Sequence, residues 1–258
     1  MRFDNSLIYD IGFHNGDDTA HYLKKGFRVI AVEANPVLAE NGKKRFAKAI
    51  AEEKLTLLNV GIADKEGILP FYRNHRLSVW SSFNKVQGTR NNTAYDIIDV
   101  RCITTKMLFQ EYGIPYYLKV DIEGYDYYCI NDIPEHKPQP AYVSCEADTI
   151  ELLTTLKNKG YSKFKIINQA NHFKPMNLAQ EHSWFFAKYL FISTGVRMRS
   201  EKFFPVTYLH GSSGPFAENT FGEWKNYEET RNDYSALLND EKYRTFNHVS
   251  WFDFHAKP

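Results

Sequence analysis

The chain has 258 residues, a formal net charge of +1 and 43% hydrophobic residues. That length allows one large domain with a substantial core, and the near-neutral balance removes the electrostatic case for a nucleic-acid partner. Cys102, Cys129 and Cys145 form no C-x-x-C pair, which argues against a zinc knuckle or thioredoxin-type motif and for a reducing compartment.

Leu7–Asp10 is a short apolar run ending in a carboxylate, the pattern of a buried parallel strand. Asp17 or Asp18 is placed to cap a helix through about Lys25, with Gly26 as its stop. Arg28–Glu33 reads as the next strand. Pro36 opens a helix at its tolerated first turn, and Leu38, Phe46, Ala49 and Ile50 carry it to about Glu53. Leu55–Val60 is a third strand. Over Gly61–His75 the pattern is turn, strand, turn, with Asp64-Lys65-Glu66-Gly67 as a hairpin turn and Ile68–Tyr72 as a strand. Ser78–Ala94 is polar and irregular, a candidate mobile loop. Ile97–Ile103 predicts a strand, Thr105–Tyr112 a helix, Tyr116–Ile122 a buried strand and Gly124 the start of a helix. Ala141–Ala147 and Tyr161–Asn168 predict two more strands, separated by a helix over Thr149–Lys159. This alternation predicts a doubly wound α/β sheet. After about residue 174 the pattern fades into an aromatic-rich tail. The predicted organisation is a ligand-binding domain over 1–174 and a C-terminal extension, 175–258, packed on it.

The stretch Leu7–Pro36 has the outline of a nucleotide-binding βαβ unit, but its turn reads Gly12-Phe13-His14-Asn15-Gly16. The middle glycine that lets backbone approach a pyrophosphate is replaced by His14. Glu33 still stands roughly 20 residues beyond the turn, where a carboxylate grips ribose hydroxyls. The site asks for a ribose without a pyrophosphate, and S-adenosylmethionine fits: adenosine, no phosphate and a cationic sulfonium. Asp10 is placed to hold the ammonium group of its amino-acid tail. A plain strand-to-helix turn served by Gly12 and Gly16 is the lesser alternative, and an atypical dinucleotide site a further one.

The second constellation is Tyr117–Asp126, "YLKVDIEGYD". The period of two puts Lys119, Asp121 and Glu123 on one face of a strand, with both carboxylates near its end. One is a candidate general base toward an acceptor hydroxyl. With Glu146 the pair is also a candidate site for a hard cation such as Mg²⁺, although no clear third and fourth ligand is apparent, so no metal is assigned. An ion pair with Lys119 that orders the strand end is the structural alternative. His14 is a third candidate catalytic group, since neutral imidazole is available near pH 7. Ser78–Ser82 is a candidate lid or acceptor mouth. In the tail, His210, Ser212, Ser213 and Phe216 are candidates for an acceptor wall, and Trp184, Trp224 and Trp251 for stacking on sugar faces.

Four segments, "YDIGFHNGDDT", "VEANP", "NVGIADKEG" and "LKVDIEG", occur in that order. Together they resemble the FkbM family of S-adenosylmethionine-dependent methyltransferases over roughly Leu7–Asn168, about two-thirds of the chain. Lys119–Gly124 is the most family-specific piece. The resemblance implies a class I methyltransferase (Rossmann-like) fold and O-methylation of hydroxyls on sugars, glycans or natural products. It also implies a cofactor site lined by Asp10, Gly12, Asn15, Gly16, Thr19, Glu33, Ala34, Asn35 and the Asn59–Ala63 turn, including Gly61, Ile62 and Ala63. Family members commonly have Ala-Asn after the first glycine, where this chain has Phe13-His14 before Asn15.

A nicotinamide-dependent oxidoreductase and a noncatalytic binding module of the same fold are the competing readings. His14 in the glycine turn speaks against the first. The four carboxylates Asp10, Glu33, Asp121 and Glu123 speak against the second. Met1–Asn5 lacks a signal-peptide core and no apolar run approaches the roughly 20 residues of a membrane span, so a soluble, cytoplasmic protein acting on a small-molecule or glycan acceptor is expected.

Overall fold

The computed structural model describes residues 1–170, 173–183, 212–246 and 250–258. Up to the middle of the chain the strands and helices are β1 (Phe3–Ile11), α1 (Asp17–Lys24), β2 (Arg28–Val32), α2 (Pro36–Arg45), α3 (Ala47–Ala51), β3 (Leu55–Leu58), β4 (Gly61–Ile62), β5 (Gly67–Asn74), α4 (Lys85–Gly88) and β6 (Tyr95–Ile103). They are followed by α5 (Thr105–Tyr112), β7 (Ile114–Val120), α6 (Asp126–Asn131), β8 (Tyr142–Glu146), α7 (Ile150–Asn158), β9 (Lys163–Asn168) and β10 (Lys174–Pro175). The tail adds α8 (Tyr227–Asn239), α9 (Glu241–Phe246) and β11 (Phe252–Lys257).

The main sheet runs β10-β9-β11-β8-β7-β1-β2-β3. The five strands from β8 to β3 are parallel. β11 is inserted antiparallel between β8 and β9. The boundary at 174 is therefore not a boundary of the sheet: the last strand of the chain sits inside it, with Phe252 and Phe254 buried. This is an α/β sheet wound in both directions from the β1–β7 junction, the doubly wound architecture that the alternation of elements predicts. Leu7, Tyr9, Ile11, Leu118, Val120 and Val143 belong to the core cluster on one face, and Ile8, Tyr22, Val29 and Tyr117 to the cluster on the other. Strands with both faces covered have no polar alternation to show, so they read as continuous apolar runs.

Three local expectations are corrected. The helix from Pro36 is broken at Phe46, whose φ of −109° and ψ of 22° leave helical space; its ring is buried edge-on against Phe13 at 5.8 Å, so packing outweighs helix propensity. Helix α1 is not capped by an aspartate side chain. Gly16 is its N-cap, at φ 81°, and Asp17 and Asp18 bond elsewhere. Asp64–Gly67 does not close a hairpin, because β4 and β5 both pair with β6 and lie on opposite sides of it. This three-stranded sheet is an excursion between β3 and α5, and its connecting segment from Asn74 to Tyr95 reaches the site. No helix among the described residues is long and apolar enough to cross a membrane. Helix α8 has an Asn226/Glu229 capping box, a sequence signal that the fading periodicity of the tail had obscured.

Candidate active site

A cavity of about 900 Å³ opens over the carboxyl ends of the parallel strands. Its lining follows the strand ends: Gly12–Asn15 after β1, Glu33 and Ala34 after β2, Val60–Ile62 after β3, Asp121–Glu123 after β7 and Glu146–Asp148 at the end of β8. Ligands of open α/β sheets bind here because the chain leaves β1 and β7 toward opposite faces and leaves a crevice between them.

The turn after β1 is shaped by three left-handed residues, Gly12 at φ 93°, His14 at 51° and Gly16 at 81°. Gly12 is indispensable on space alone, since a Cβ there would lie 1.9 Å from the Asp121 carbonyl oxygen. Gly16 is required for a different reason than ligand approach. The space over it holds the Phe13 and Phe46 rings, 2.4 and 2.6 Å from where its Cβ would sit, and it does not line the cavity.

Glu33 is buried at the end of β2. Its Oε2 accepts the His14 backbone N–H at 2.7 Å and its Oε1 the Asn35 N–H at 2.8 Å. Burial pushes its carboxyl up to about 7, against the pull of those two N–H groups. The side chain lines the cavity, so its remaining lone pairs are available to hydroxyl donors. Asn35 caps α2 by accepting Val37 N–H at 3.1 Å and stays out of the cavity.

Asp10, Thr19 and Ala63 also lie outside the lining. Asp10 is fully buried; Thr19 Oγ1 donates to its Oδ2 at 2.6 Å, and Lys119 Nζ lies 3.2 Å from its Oδ1. Lys119, 3% exposed, also donates to the Gly12 carbonyl at 2.8 Å. Burial opposes its charge, but the carboxylates of Asp10, Asp121 and Asp18 outweigh that and drive its pKa up. The ion pair expected for Lys119 thus exists, directed chiefly at Asp10; Asp121 Oδ2 stands at 3.8 Å.

β7 ends at Val120, so Asp121 and Glu123 follow the strand rather than share its face. Glu123 has φ 51°, a conformation costly for a side-chain-bearing residue. Ser82 Oγ donates to its carbonyl at 2.7 Å, and its carboxylate accepts from Arg90. Oxygens of Asp121, Glu123 and Glu146 come within 4.8 Å of one another, an arrangement able to hold a hard cation. Burial first, and then the Asp121 carboxylate, push Glu123 up to about 8 and raise Glu146 and Asp148. His14 lines the other side, where its Nε2 shares a hydrogen bond with Ser78 Oγ at 2.8 Å and burial lowers its pKa, favouring the neutral ring.

The tail contributes Ser212, Ser213, Tyr243, Trp251 and Asp253 to the lining. Ser213 N–H donates to both Asp18 oxygens at 3.0 Å, which ties the tail to α1. Phe216 is buried against Tyr22 and Tyr117 instead, at 5.1 and 4.9 Å between ring centres. Trp224 lies between Lys165 and Lys257 and does not line the cavity. Trp184 and His210 fall outside the described residues. Arg90, Asp148, Asp253 and Gln169 line the cavity without any sequence signal that marked them.

The profile of the methyltransferase FkbM domain matches residues 10–163. No curated protein sequence matches the chain. Among solved structures, the FkbM methyltransferase from Methylobacillus flagellatus KT aligns at 15% identity over 62% of this chain and 40% of its own, with a TM-score of 0.40. Haemonchus contortus phosphoethanolamine N-methyltransferase 2, solved in complex with S-adenosyl-L-methionine, aligns at 11% identity over 100% of this chain and 49% of its own, with a TM-score of 0.41. The precorrin-6y C5,15-methyltransferase from Geobacter metallireducens GS-15 aligns at 16% identity over 65% and 70%, with a TM-score of 0.34. The chain spans less than half the length of the first two. The domain match extends over more than half of the sequence, and the chain therefore belongs to the FkbM methyltransferase family.

Proposed function

We propose that this chain is an O-methyltransferase that uses S-adenosylmethionine to methylate a hydroxyl of a sugar, glycan or natural product in the cytoplasm. The observation that carries the reading is Glu33, whose carboxylate faces the cavity with each oxygen already fixed by one backbone N–H. A carboxylate held in this way accepts a ribose diol without reorganising. The rest of the lining suits a cationic, phosphate-free ligand: Asp17, Asp18, Asp121 and Asp148 surround the cavity, and carboxylates repel a pyrophosphate. His14 stands where a dinucleotide site needs bare backbone.

Bound S-adenosylmethionine would supply an electrophilic methyl group. Glu33 and the turn after β1 hold the ribose end, and Ala34 and Ile62 provide apolar contact for the base. At the other end Asp121, whose side chain is 42% exposed, accepts the proton of the acceptor hydroxyl, and Glu123 orients the acceptor. His14, neutral and bonded to Ser78, is placed to keep the Ser78–Ser81 segment over the cavity. A divalent cation is not assigned to the reaction.

Calorimetry with S-adenosylhomocysteine, S-adenosylmethionine and NAD tests the donor; binding of NAD in place of the first two overturns the reading. Transfer of labelled methyl to a panel of glycosides and polyols tests the acceptor class, and label found on nitrogen alone moves the reading away from hydroxyls.

A further inference from the structure

We propose that Arg90 is the resident counter-ion of the carboxylate cluster at the acceptor end of the cavity, engaging Glu123 in the place a divalent cation would need. That this end takes the acceptor rests on the methyltransferase reading; the charge relationship does not.

Arg90 is delivered from the excursion segment and is built in rather than incidental. Its carbonyl accepts from Thr93 Oγ1 at 3.0 Å, and the buried Asn74 donates to Gly88 at 3.0 Å and to Thr93. The next two residues, Asn91 and Asn92, are left-handed at φ 58° and 52°. They turn the chain so that the guanidinium points back into the cavity. There Nη2 donates to Glu123 Oε2, and the guanidinium lies 5.0 Å from the centre of the Trp80 ring. Trp80 lines the cavity, so one side chain fixes both a wall and a carboxylate. A cation that sits over an indole and pairs with a carboxylate at once suits a guanidinium, which is weakly hydrated and favoured on aromatic faces.

The surroundings make this cation matter. Asp121, Glu146 and Asp148 face Glu123, and Asp121, Glu123 and Glu146 have the spacing of a cation site. Of the two Lys and Arg side chains that line the cavity among the described residues, Lys119 is committed to Asp10 and Gly12. Arg90 is left to balance Glu123 and Asp148. With its guanidinium on Glu123, the three-carboxylate set is broken, and Asp121 remains open to the acceptor. Arg90 is therefore a positioning residue acting through Glu123.

The test is Mn²⁺ binding followed by electron paramagnetic resonance and calorimetry on wild type, Arg90→Ala, Arg90→Lys and the double variant Arg90→Ala/Glu123→Gln. Circular dichroism confirms that each folds. Removing the guanidinium frees the cluster, so Arg90→Ala should bind one Mn²⁺ at least about tenfold more tightly than wild type. Arg90→Lys, which keeps the charge but not the placement over Trp80, should fall between wild type and Arg90→Ala, and adding Glu123→Gln should erase the gain. Tight stoichiometric Mn²⁺ binding by wild type, or no gain in Arg90→Ala, overturns the proposal. S-adenosylhomocysteine binding to wild type is measured alongside. Its failure would remove the methyltransferase reading and leave the Mn²⁺ result standing on its own.

Discussion

Lys119 Nζ lies 2.8 Å from the carbonyl oxygen of Gly12, a bond that joins the end of β7 to the turn after β1 across the junction from which the sheet winds both ways. The same ammonium neutralises Asp10 in a site without water access. One buried cation thereby holds the turn that carries His14 and the strand end that carries Asp121.

Lys119→Met leaves Asp10 buried and uncompensated. Breaking a buried pair from one side costs about 3–5 kcal/mol, so urea denaturation should show a loss of that order. The double variant Lys119→Met/Asp10→Asn should recover part of it. An unchanged midpoint in Lys119→Met would mean that the pair contributes nothing net.

Gly12→Ala meets two obstacles, the Asp121 carbonyl and a positive φ. The backbone conformation alone costs roughly 1–3 kcal/mol, and the contact pushes Asp121 out of place. Methyl transfer should fall further than thermal stability does. Gly26→Ala is the control, because a Cβ there meets nothing within 4 Å, although its φ of 89° carries a similar backbone cost.

Glu33→Ala should weaken S-adenosylhomocysteine binding by roughly 1–3 kcal/mol in calorimetry, the worth of its hydrogen bonds to ribose. The pH dependence follows from its carboxyl at about 7, above the ordinary 4.5. Folded protein holds this proton after the unfolded chain has released it. The stability it contributes is full below about pH 4.5 and is lost as pH rises through about 7. Glu33→Gln should flatten that part of the slope in denaturation series run between pH 5 and 8. Donor affinity should run the other way in wild type, rising toward pH 8 as the carboxylate ionises and accepts the hydroxyls.

Asp121→Asn and Glu123→Gln should retain the fold and donor affinity while lowering methyl transfer, with Asp121→Asn losing roughly 10²–10⁴-fold if it takes the proton. Equal activity of both variants and wild type would assign the pair to structure and turn attention to His14.

The sequence alone was enough for the parallel strands of the sheet, the glycine turn after β1 and the family resemblance. Those features are local: strand ends, glycines that need positive φ, and a carboxylate at a set distance along one βαβ unit are written in consecutive residues. The break at Phe46, the Gly16 cap and the pairing of β4 and β5 with β6 were decided by packing partners distant in the chain. The same holds for the candidate site. Glu33, Gly12 and Asp121 were legible because each directly follows a strand whose apolar run announces it. Arg90 sits in a polar, irregular segment and acquires its role only where the excursion folds back over Glu123. β11 carries Asp253 into the sheet from the far end of the chain, and Ser213 reaches Asp18 from the tail. Contacts between segments so far apart leave no period and no spacing to read; only the folded chain, in which burial and charge balance are settled together, brings them to one cavity.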